Sequence, residues 1–114
     1  MSAAPALRAA LLLALSLTAA GATAAQSFTV PQELWDRPRT ADAVLKTPAL
    51  RQAMAAYLAQ DGGRIVIHYG PGQEAHLDAE ELRSWLIALA VEGGQVSLNG
   101  DLSGRESLKI EVMP

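Results

Sequence analysis

Two stretches of helical periodicity, each closed by a Gly-Gly pair, alternate with short runs of strand periodicity, and this alternation restricts the chain to helices laid on a small sheet. In the first stretch Leu50, Ala53, Met54, Tyr57 and Leu58 recur at i, i+3, i+4, i+7 and i+8, which sets one apolar stripe along an amphipathic helix. Thr47-Pro48 supplies an N-cap followed by proline at the first helical position, and Gly62-Gly63 supplies the stop. The second stretch repeats the spacing with Leu82, Trp85, Leu86, Leu89 and Ala90 and stops at Gly93-Gly94. Its start is read at Asp78, with Glu81 as the capping-box partner and Leu77 against Leu82 as a hydrophobic staple. Ala41, Val44 and Leu45 form a briefer helical pattern within residues 40–46.

The intervening segments read as strands. Residues 64–69, RIVIHY, carry three consecutive β-branched residues and break at Gly70-Pro71-Gly72. Val96 alternates with Leu98, a turn follows from Asn99-Gly100-Asp101 through Gly104, and Leu108, Ile110 and Val112 then alternate with Ser107, Lys109 and Glu111. Phe28 and Val30 mark a short edge strand that runs into an irregular segment anchored by Trp35. The order β-α-β-α-β-β predicts an α+β two-layer sandwich, with two main helices on one face of a small mixed sheet. A right-handed crossover makes the strands at Arg64 and Val96 parallel, and the last strand is expected to pair antiparallel with its predecessor through the turn.

Residues 1–25 carry Arg8 near the amino terminus, then an uncharged run centred on Leu11-Leu12-Leu13-Ala14-Leu15, then small residues Ala22 to Ala25. That order predicts a cleavable secretory signal, and Gly21 makes a permanent membrane span the poorer reading. A single domain of residues 26–114, periplasmic or secreted from a bacterium, is expected to follow. With no cysteine the domain has no disulfide framework and no lipid-modified thiol, so its core alone must hold it together. Loss of Arg8 takes the 9 basic residues to 8 against 12 acidic ones, a net charge of −4, which disfavours nucleic acid as a partner.

The candidate site residues are His68, Tyr69, Glu74 and His76. The two histidines, the only ones in the chain, flank a loop that contains Glu74, so metal binding and ligand contact are both conceivable uses. A zinc site takes three or four protein ligands and a Gly/Pro loop presets no geometry, so no metal or cofactor is expected. Glu80 and Glu81 are read as first-turn acids that favour the helix N-terminus, and Trp85 as core. No serine lies in a G-x-S-x-G elbow, and Gly70-Pro71-Gly72 lacks the lysine of a phosphate loop, so no enzyme activity is assigned.

The layout of residues 50–112, with LIALAVEGGQV at 86–96 joining helix to strand, resembles the OmpA C-terminal-like domain family. The resemblance implies a periplasmic domain of this architecture. In that family a G-H-T-D stretch and a later arginine-bearing run grip the peptide stem of peptidoglycan, whereas this chain has Tyr69-Gly70-Pro71-Gly72 and Leu77-Asp78-Ala79. The leading expectation is therefore a non-enzymatic accessory module that docks an envelope protein through an exposed strand edge. The alternative is a glycan or peptidoglycan binder using residues 69–76, and a small metal-dependent enzyme is a third reading.

Overall fold

The computed structural model describes residues 24–114, so the signal segment expected at 1–25 lies, but for its last two residues, outside the described residues. In chain order the elements are β1 (Gln26–Thr29), a 3-10 turn (Gln32–Asp36), α1 (Ala41–Leu45), α2 (Pro48–Leu58), β2 (Arg64–His68), α3 (Gln73–Ala88), a second 3-10 turn (Gly93–Gln95), β3 (Val96–Asn99) and β4 (Lys109–Met113). The fold is α+β, as the periodicity predicts.

The sheet order is β1-β4-β2-β3. β2 and β3 are parallel, joined through α3, as expected. β4 does not pair with β3, contrary to the hairpin read from the turn; it lies antiparallel between β1 and β2. The connection of residues 100–108 is too long for a two-residue hairpin turn and lets the chain pass the end of β2 before it returns through the middle of the sheet.

This placement sorts the side chains by face. Ile65, Ile67, Ile110 and Val112 are fully buried, and their register partners Phe28, Val96 and Leu98 lie on the same side. α2 lies over β1 and β4, and α3 over β2 and β3. Their contributions are Ala49, Leu50, Ala53 and Met54 from α2 and Ala79, Leu82 and Leu86 from α3. Two residues of the expected stripes fall outside the core. Leu58, the last residue of α2, is 67% exposed, and Ala90 lies beyond the end of α3 in solvent. The opposite face carries Ser27, Thr29, Arg64, Val66, His68, Ser97, Asn99, Lys109, Glu111 and Met113, and among the described residues no helix covers it.

The helix ends differ from the sequence expectation in instructive ways. Pro48 is the first residue of α2, but the buried Thr47 hydroxyl donates to the Ala43 carbonyl at 3.0 Å and ties α1 to α2 rather than capping. α3 starts at Gln73, five residues before the expected cap at Asp78, because Gly72 at φ 103° turns the chain directly into Gln73, Glu74 and Ala75, all good helix formers. Asp78 is consequently a mid-helix residue, and Leu77, 56% exposed, makes no staple. The stop is not Gly93-Gly94 but a Schellman motif at Ala90: Val91 N–H donates to Leu86 at 3.0 Å and Ala90 N–H to Ile87 at 3.1 Å. Ala90 holds φ 93°, a left-handed conformation that disfavours any Cβ.

Two stability outcomes follow. Replacing Ala90 with Gly removes that penalty and is expected to raise unfolding free energy by roughly 0.5–1 kcal/mol after the added unfolded-state entropy, measured by urea denaturation. Leu82→Ala, at a fully buried position between α3 and the sheet, is expected to lower it by about 2–5 kcal/mol.

Candidate functional site

The four candidate residues do not converge; they occupy three neighbouring places at one end of the sheet. His68, the last residue of β2, projects from the uncovered face. Tyr69 turns away, its ring packed on Gly100 so closely that a Cβ there would sit 3.0 Å from the ring. His76, placed before a helix by the sequence reading, is inside α3, and its ring lies 5.3 Å from that of Tyr69. Glu74, expected in a loop, is in the first turn of α3. Among the described residues no group of three His, Cys, Asp or Glu is arranged to hold a metal ion.

His68 has instead recruited two acids absent from the sequence expectation. Its Nδ1 lies 2.8 Å from Asp101 Oδ1 and its Nε2 lies 2.8 Å from Glu111 Oε1. A neutral imidazole has one N–H to donate, so both contacts are satisfied together only by the doubly protonated ring. Partial burial is the largest single influence on the ring and opposes charge, but the two carboxylates together outweigh it and raise the His68 pKa. Asp101 is correspondingly lowered by the His68 hydrogen bond. Glu111 could have been suspected from strand alternation, which puts it on the uncovered face; Asp101 carries no such signal.

A second polar cluster pins the irregular segment after β1 to α3. Arg39 Nε and Nη2 donate to Glu81 Oε2 and Oε1 at 2.8 and 2.9 Å, a two-pronged pair, while Arg39 Nη1 donates to the carbonyls of Trp35 at 3.1 Å and Arg37 at 2.9 Å. The Arg39 guanidinium stands 5.4 Å from the Trp35 ring centroid, and Trp85 Nε1 donates to Glu81 Oε2 at 3.1 Å. Glu81 is thus a tertiary anchor and not the helix-start acid of the sequence reading. Glu80 also lies well past the first turn.

Concave and edge features complete the surface. A groove of about 440 Å³ runs between Gly70, Pro71, Glu74 and Asp78 on one side and residues 104–107 on the other. It presents both signs of charge, with Arg105 beside Glu74, Asp78 and Glu106. Burial, reinforced by the Glu74 charge, lifts the Asp78 carboxyl above its ordinary range. At the β3 edge Arg83 reaches the carbonyls of Val96 at 3.4 Å and Gly93 at 3.0 Å. Tyr69 N–H bonds to the Asn99 carbonyl, so the backbone groups of Ser97 and Asn99 face β2 and, among the described residues, those of Leu98 are left unengaged on that edge. At the β1 edge Val30 N–H bonds inward to Leu108, so by alternation the Ser27 and Thr29 backbone groups point outward. Among the described residues no strand pairs there, and no helix is long and apolar enough to cross a membrane.

The Arg39–Glu81 pair has a definite pH signature. The Arg39 hydrogen bond, opposed by burial and aided by Trp85, holds Glu81 below its ordinary 4.5. Its stabilising contribution is therefore present above that value and is lost as pH falls through the lowered folded-state pKa. In urea titrations Glu81→Gln is expected to be less stable at neutral pH and to show a shallower acid loss, and the Arg39→Gln, Glu81→Gln double variant to be little worse than either single one. Comparison with family models, with curated proteins and with solved structures finds no match to this chain.

Proposed function

We propose that this chain is a non-enzymatic module of the bacterial cell envelope, exported and cleaved near Ala25, which recruits an envelope protein by adding a strand to the outer edge of β1. The supporting observation is the asymmetry of the two sheet edges. Ser27 and Thr29 offer outward N–H and C=O groups with no paired strand among the described residues, whereas Arg83 and Gly93 occupy Val96 on the β3 edge. The position of β1 agrees with export, because it begins at Gln26, one residue past the expected cleavage boundary.

A photo-crosslinking residue at Thr29, retained in every variant of the full-length chain, is expected to trap one envelope protein when the chain is expressed in a bacterium. Ser27→Pro removes an outward N–H that the fold does not use and is expected to abolish capture without changing the circular dichroism spectrum. Capture that survives this substitution would refute the edge as the docking surface. Amino-terminal sequencing of the exported protein is expected to begin within a few residues of Gln26, and an intact Met1 terminus would overturn the export reading.

A second reading, a cell-wall binder, is favoured by the groove beside Gly70-Pro71. Glu74 and Asp78 could receive an amine, and Arg105 a carboxylate, of a peptidoglycan stem. Cosedimentation with purified sacculi, lost in Asp78→Asn and in Arg105→Gln, is the expected outcome of that reading. Equal sedimentation of the variants and the parent would dispose of it.

A further inference from the structure

The uncovered face of the sheet carries a histidine between two acids that belong to different kinds of structure. Glu111 is part of β4 and is fixed by pairing on both sides. Asp101 belongs to the connection of residues 100–108, whose other ties to the end of β2 include the packing of the Tyr69 ring on Gly100, the Leu102 N–H bond to the Tyr69 carbonyl at 3.1 Å and the seat of Gly104 beside Gly70. The same connection, at residues 104–107, forms one wall of the groove. We propose that His68 is a proton-operated latch: doubly protonated, it bridges Asp101 to Glu111 and holds the 100–108 connection against the sheet, and on losing one proton it releases Asp101 and loosens that wall.

The direction of release follows from chemistry. A neutral ring keeps one N–H and turns a lone pair toward the other carboxylate, so one of the two contacts becomes repulsive. The Glu111 backbone is held by pairing on both sides and its side chain is the less exposed of the two, whereas Asp101 is exposed and on a connecting segment, so that contact is the one expected to open. The other charges facing His68 do not override this. Lys109, its register partner on β4, opposes protonation, but its ammonium is drawn toward Glu106 at 3.6 Å. Glu106 in turn accepts from Ser103 N–H at 3.0 Å within the same connection. From β3 the partner is the uncharged Asn99, and Arg64 lies four residues back along β2. The ring's raised pKa is consistent with this balance.

The test is an NMR titration of the ¹⁵N-labelled full-length chain, following the His68 ring and, by relaxation, the backbone of residues 100–107. The expected result is a His68 midpoint above the ordinary value of about 6.5. Order parameters of Leu102, Ser103 and Gly104 should then fall as pH rises through that same midpoint. In Asp101→Asn the His68 midpoint is expected to move down, and the connection to lose its pH dependence and stay mobile at low pH. Glu111→Gln should also lower the midpoint, and both variants should keep the parent's sheet resonances. A connection whose mobility ignores the His68 titration, or a His68 midpoint at or below the ordinary value, would overturn the latch.

Discussion

The packing of α2 and α3 on the same side of the sheet is the constraint from which the remaining features descend. Ile65, Ile67, Ile110 and Val112 gather on a single face beneath α2 and α3, where their burial supplies the driving force that a cysteine-free chain has no cross-link to supplement. Because each strand alternates, the same register that buries these four delivers His68, Lys109 and Glu111 to the other face as a set. The polar cluster there is thus a by-product of core formation: a slip of one residue in β4 would expose Ile110 and Val112 and dismantle the histidine bridge together.

Most of the elements were legible because they rest on period. Alternation at Val96 and Leu98 and at Ile110 and Val112 survives in the fold, as does the 3, 4, 7 spacing on both helices, while the last member of each stripe, Leu58 and Ala90, falls in solvent. Strand order was not legible. In a sheet with one bare face a central strand alternates just as an edge strand does, so nothing in residues 108–113 announces that β4 lies between β1 and β2. Helix boundaries failed for a local reason. The Asp78 to Glu81 pattern has the spacing of a capping box, but a glycine able to adopt φ 103° at Gly72 started the helix first and freed Glu81 for Arg39.

Of the histidine bridge the sequence singled out His68 alone, and neither acid that engages it. His68, Tyr69, Glu74 and His76 do lie at one end of the sheet, yet strand alternation separates His68 from Tyr69, and the early start of α3 carries Glu74 and His76 onto a helix. The groups that engage His68 lie 33 and 43 residues away along the chain, a separation at which sequence spacing carries no geometric information.

The unequal edges of the sheet have a consequence for assembly. A β-fibre grows because every subunit offers two docking rims, one to receive and one to pass on. Here Arg83 and Gly93 occupy the Val96 groups and, among the described residues, leave only Leu98 open on one rim, so under the proposed docking a strand laid on β1 would meet no equal rim on the far side, and the series would stop there.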